Sequence, residues 1–263
     1  MIRLLRAEMV KVRSLWSTWV LIGAGALLAS GFGTLIGFAP HRRRGLSAIL
    51  FPPHGTAAWF DDLFSAMSIA QTLALVIGVL AITTEYRHKT VTSTYLAEPH
   101  RGRVVEAKLV VSAGWGAATA VAAGAACLVL GFSVVAAGIG TSNVMLTEFR
   151  HVFPGVFLAA MLFAVYGVGL GALLRNQVLA LVVGIGFTAI IEPIIVGIFP
   201  TQGEYLPGQA AQALESVTAS ARNFGSSGIT HLLPWWGGGL MLITYGVVFS
   251  IAGSLTTMRA DIS

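Results

Sequence analysis

Apolar runs of about twenty to thirty residues alternate along this chain with short polar stretches. The runs lie at about 15–38, 63–84, 109–138, 153–174, 178–199 and 234–258. A helix needs roughly 20 apolar residues to cross about 30 Å of hydrocarbon. Only a helix or a closed barrel satisfies its own backbone there. The pattern therefore predicts an all-α integral membrane protein, a bundle of six transmembrane helices. The third run is long enough to tilt or break, and the fifth carries one charge, Glu192.

Two of the polar stretches carry a helical period of their own. In residues 1–13, Ile2, Leu5, Met9 and Val12 recur on one face, while Arg3, Arg6, Lys11 and Arg13 lie largely off it. That pattern fits an amphipathic helix lying in the membrane interface, or a plain basic anchor for the first span. Between the last two spans, Ala210, Ala213, Leu214, Val217 and Ala221 form a second stripe, with Pro207 near its start and Gly225 after its end. A short outer helix is expected there. Its Gln209, Gln212 and Glu215 make it look too polar to dip deep, so a packed cap suits it better than a substrate gate.

Composition and charge sharpen the picture. Hydrophobic residues make up 56% of the 263 and charged residues 10%; a soluble domain carries about a quarter. The net charge of +5 matters less than where it sits. With six spans, Arg3, Arg6, Lys11, Arg13, Arg87, Lys89, Arg101, Arg103, Lys108, Arg175 and Arg259 share the side of the termini, and Arg42, Arg43, Arg44, Arg150 and Arg222 lie opposite. That asymmetry predicts both termini in the cytoplasm, although the Arg42–Arg44 cluster runs against it and Asp61 and Asp62 in the same loop offset it. Trp16, Trp19, Trp235 and Trp236 stand at span ends, as interfacial belts do. Glycines at Gly33, Gly37, Gly167 and Gly171 permit close helix approach, within the chain or between subunits. No cleavable signal peptide and no separate soluble domain are evident, so residues 1–263 are expected to form a single membrane domain.

Residues 85–108 form the longest segment expected on the cytoplasmic side, with ten charged or His side chains. Pro99 disfavours helix at Glu98, so any helix over Thr90–Ala97 is short. Two motifs here and at the start of the chain resemble the ABC-2 type permease family, the membrane subunits of certain ATP-binding-cassette exporters. Glu8 and Lys11 resemble that family's Glu-x-x-Lys in a basic interfacial helix. Glu85, Thr90 and Val91, then Leu96, Pro99, Arg101, Arg103 and Lys108, resemble its cytoplasmic loop. The resemblance implies a coupling helix between spans two and three, seated on a separate ATPase subunit, with Glu85, Thr90, Pro99 and Arg101 as coupling residues. It implies two permeases side by side, identical or related, and ATP and Mg bound by the partner subunits. The chain itself has no Gly-x-x-x-x-Gly-Lys-Ser/Thr phosphate loop.

The expected function is therefore a non-catalytic permease of the cytoplasmic membrane, exporting an amphiphilic or hydrophobic substrate with ATP hydrolysed in a partner. An ion-coupled secondary transporter is the alternative, and a membrane-embedded lipid-modifying enzyme a further one. Glu192-Pro193 is the candidate substrate-path or kink site. It lies seven residues before Phe199, about 10 Å along a helix axis, and an ionisable group there must face the bundle or water, or be protonated. The six histidines are scattered, Cys127 is alone, and no Cys/His spacing suggests a metal, so no metal, cofactor or nucleic-acid partner is expected for this chain.

Overall fold

The computed structural model describes residues 1–38, 52–88, 101–215 and 233–260, and among these it is helical with no strand. Helix α1 (Ile2–Ser14) turns at Leu15 into α2 (Trp16–Gly37). The corner is pinned by the Thr18 hydroxyl donating to the Val12 carbonyl (3.0 Å) and the Trp19 indole donating to the Arg13 carbonyl (3.0 Å). The second span is one long rod: α3 (Ala57–Ser65), a 3-10 turn at Ala66–Ser68, and α4 (Ile69–Arg87). Then follow α5 (Arg101–Ala136) and α6 (Ser142–Leu174).

The fifth span is interrupted. It runs as α7 (Gln177–Gly186), a π-helical turn over Phe187–Ile191, and α8 (Glu192–Ile198). Pro193 has no N–H to give the previous turn, and the wider turn lies directly before it, with the Glu192 N–H reaching back to the Phe187 carbonyl. Helices α9 (Pro200–Gly203), α10 (Pro207–Glu215) and α11 (Trp235–Ala260) complete the described chain. Six helical segments are long and apolar enough to cross a membrane. The protein is an all-α, multi-pass membrane bundle.

Three helices outrun the apolar runs that signalled them. The second span starts at Ala57, the third at Arg101 and the fourth at Ser142. At 1.5 Å per residue, α5 and α6 are about 50 Å long, well beyond the hydrocarbon. Hydropathy records the length that faces lipid, not the length that is helical. Helix α5 outruns its apolar run at the end nearer the termini, whereas the far ends of α3 and α6 are filled by aromatic rings. Phe60 stacks on Phe64, Phe64 meets Phe149 edge-on, and Phe149 stacks on Phe153 at 5.0 Å between centroids. Trp59, Phe60, Leu63 and Phe64 there are fully buried.

Helix α6 is the hub, packing against α3, α4, α5, α10 and α11. Small residues let the rods touch backbone to backbone. A Cβ on Gly78 of α4 would collide with the Ala164 carbonyl of α6, one on Gly167 with the Leu75 carbonyl of α4, and one on Gly116 of α5 would come to 2.5 Å from the Ala160 carbonyl. The Gly167–Gly171 motif is thus used inside the chain, against α4 and α11. The fifth span, by contrast, shows Val178, Val182, Ile190, Ile194 and Ile198 on the outside, a surface suited to lipid.

Candidate functional site

Where α1 meets the near ends of the second and third spans, four charged side chains converge. The Lys108 ammonium is 3% exposed and donates to Glu8 Oε2 (2.8 Å), Glu85 Oε1 (2.8 Å) and the Ala81 carbonyl (3.2 Å). Those contacts use all three of its donors. Lys11 Nζ reaches Glu8 Oε1 at 2.6 Å and Glu85 Oε1 at 2.9 Å. Glu8 and Lys11 stand one helical turn apart on α1. Glu85 sits in the last turn of α4, and Lys108 two turns into α5.

The cluster is balanced, two acids against two bases. Burial alone would push the Glu8 carboxyl up, but Lys108 and Lys11 together hold it below its ordinary value. Burial pulls Lys11 down, and the two carboxylates outweigh it and raise it. A buried charge without its partner costs several kcal/mol, so the four groups lock three helix ends into one body. In the chain, residues 89–100 connect the two helices, α4 and α5, whose ends this lock holds. Next to it, Arg87 Nη1 donates to Gln177 Oε1 (3.3 Å), tying α4 to the start of the fifth span.

Of the residues expected to couple to a partner, Glu85 lies in this cluster together with the interfacial-helix pair Glu8 and Lys11. Thr90 and Pro99 lie outside the described residues, as do Arg42–Arg44, Val217, Ala221 and Arg222; Arg101 is described as the first residue of α5. Lys108 was legible only as the end of the loop motif. Its place at the centre of the cluster depends on α1 folding back across the bundle.

The far side holds a second set of buried polar groups, around α10. Glu192 is 1% exposed, turned into the bundle, and its Oε1 accepts from the backbone N–H of Gln209 (2.9 Å) in the first turn of α10. Helix N-termini present free N–H groups and a partial positive charge, and a carboxylate suits them. Gly208 leaves the room: a Cβ there would lie 2.9 Å from both Glu192 oxygens. At the other end of α10, Glu215 accepts from the Ser68 hydroxyl (2.7 Å) and from the Gln71 amide of the second span. Burial pushes the Glu215 carboxyl up to about 7, against the pull of those two donors. Its place at a helix C-terminus also disfavours a negative charge.

Helix α10 is packed against the bundle, as a cap would be, and more of its polar side chains are buried than its composition suggested. Gln209 and Glu215 are buried, as are Ala210, Ala213 and Leu214. Gly155 of α6 and Gly238 of α11 admit its backbone, since a Cβ on either would strike α10 main chain. The polar side chains face inward because partners wait for them on the spans, which no period in α10 itself can reveal. Gln71, a lone amide in an apolar run, was the available signal for Glu215.

Asp61 of α3 and Glu148 and His151 of α6 also come together, with one ligand-type atom from each within 4.8 Å of the others. Sequence spacing showed no such set, because it joins two helices of different spans. The separations suit a divalent cation, and the residues grade from buried Asp61 to exposed His151. Compared with models of protein families and with curated proteins, the chain matches none.

Proposed function

We propose that this protein is the membrane subunit of an ATP-driven exporter, worked from its terminal face by a separate ATPase. The observation that carries the proposal is the Glu8–Lys11–Glu85–Lys108 cluster, centred on the buried Lys108 and Glu8. It binds α1, α4 and α5 into one rigid body at the two helix ends that the 89–100 segment joins in the chain. A push on that segment then moves two spans and the interfacial helix together, the way a packed unit shifts between discrete arrangements. The excess of Lys and Arg on the same face favours a cytoplasmic location for it. With no phosphate loop in the chain, the ATP chemistry belongs to the partner.

The permease supplies no bond-breaking groups in this scheme. It offers two states that hold the substrate differently, and the partner's nucleotide cycle chooses between them. A second copy of this chain, or a related one, completes the path between two bundles. Apolar faces and few polar groups in the spans suit an amphiphilic or hydrophobic cargo.

The test is purification from native membranes in mild detergent. An ATPase subunit is expected to co-purify, and reconstituted ATPase activity is expected to persist in Lys108→Met while substrate movement falls. Transport of the same substrate by this chain alone in liposomes, driven by an ion gradient, would overturn the proposal.

A further inference from the structure

Two buried oxygen acceptors at the start of α10 are left without a well-formed hydrogen bond, Glu192 Oε2 and Gln209 Oε1. The Glu192 carboxyl meets only the backbone N–H groups of Gly208 and Gln209, of which Gln209 donates to Oε1. Glu192 is 1% and Gln209 5% exposed. Among the described residues no Lys, Arg or His forms an ion pair with Glu192. The groups that feel its charge are phenols, Tyr166 of α6 and Tyr245 of α11, and Tyr245 spends its own hydroxyl proton on the Tyr205 carbonyl (3.1 Å). On α10 itself the other titratable group is Glu215, held at the opposite end by Ser68 and Gln71 of the second span.

An ionised carboxylate in such a place loses its hydration and gains only the N-terminus of one short helix. Burying an uncompensated charge is costly enough that such groups neutralise instead. One proton carried on Glu192 Oε2 removes the charge, while Oε1 keeps accepting from the Gln209 backbone N–H.

We propose that Glu192 is a proton-binding site, loaded when α10 is docked and emptied when α10 leaves, so that movement of this far-face helix is linked to proton uptake and release. Docking takes up a proton from water; undocking exposes Glu192, which ionises and returns it. Acid therefore favours the docked helix and alkali the released one. Glu215 acts in the same direction at the other end. The proposal stands on the Glu192 pocket and does not depend on what energises transport.

The experiment uses the full chain in lipid nanodiscs, with Cys127→Ala and a reporter Ala211→Cys on the buried side of α10. Labelling by a water-soluble maleimide is normalised to an exposed reference, Thr201→Cys. In a Glu215→Gln background one proton remains linked, so labelling is expected to rise about tenfold per pH unit above the onset. With Glu192→Gln added to that background, which resembles the protonated acid, labelling is expected to stay low and flat with pH. Should that variant fail to fold, Glu192→Leu in the same background carries neither charge nor proton and is expected to label independently of pH, at whatever level its stability sets. A pH response that survives in Glu192→Leu would overturn the proposal. So would pH-independent labelling of the Glu215→Gln protein, or an unchanged pH response in Glu192→Gln.

Discussion

At the terminal face, Glu8 and Glu85 lie against the ammonium groups of Lys11 and Lys108. At the far face, Glu192 and Glu215 lie against a backbone N–H, a hydroxyl and an amide. Both regions bury acids between helix ends, and both hold a short helix onto the bundle, α1 in one case and α10 in the other. The difference is the counter-charge. The Lys108 and Lys11 ammonium groups hold the Glu8 carboxyl below its ordinary value, and the contact behaves as a fixed bracket. Unpaired acids hold their neighbours with hydrogen bonds alone, and their contact strength changes with protonation. One end of the molecule is held by paired charges, the other by hydrogen bonds to uncharged groups.

The largest effect should come from removing a counter-charge. Lys108→Met leaves two carboxylates, Glu8 buried and Glu85 nearly so, to share the half-exposed Lys11 ammonium, at a cost of about 3 kcal/mol. The expected outcome is a large fall in unfolding midpoint in detergent, read by denaturant titration. Glu8→Met combined with Lys108→Met should recover a sizeable part of that loss, because the uncompensated charge goes with its partner. If Lys108→Met is as stable as the parent, the terminal cluster is not a bracket.

Next comes the response to pH, which should separate the two ends. The Glu8 carboxyl is held below its ordinary 4.5, so its contribution is present above that value and lost only as pH falls through the lowered one. The Glu215 carboxyl is raised to about 7, so docking of α10 is strongest below pH 4.5 and weakens as pH rises to about 7. Between pH 5 and 8, hydrogen exchange should quicken in 207–215 and stay level in 2–14. Equal behaviour at both ends would erase the contrast.

Smaller changes sharpen it. Glu215→Gln keeps a group able to bond Ser68 and Gln71 without a charge, and should alter stability at pH 7 by about 1 kcal/mol while flattening part of the pH response of α10. Lys11→Ala removes a half-exposed partner from the terminal cluster and should cost less than about 1 kcal/mol, since Lys108 still neutralises Glu8. A loss as large as that of Lys108→Met would mean that the exposed lysine, not the buried one, holds the cluster.

Much of the architecture can be read from one dimension because lipid is a demanding solvent. Any segment that crosses it must be apolar for about twenty residues and must close its own hydrogen bonds, so the six spans, the amphipathic α1 and a helix before the last span were all visible as pattern. The helix ends at Ala57, Arg101 and Ser142 were not, since beyond the bilayer a helix buries side chains against protein, aromatic rings at the far end and the paired Lys108 at the near one, and hydropathy no longer reports it. Glu8, Lys11 and Glu85 stood out as charges at span borders, and Glu192 as a charge inside one. What each of them touches was decided elsewhere. Lys108 reaches Glu8 across 100 residues of chain, and Glu215 reaches Gln71 across 144. Such partnerships depend on which rods the glycine contacts of α6 bring side by side. The need of every charged or polar group for a partner is local and belongs to the residue; the identity of that partner is a property of packing, and packing exists only once the spans have assembled.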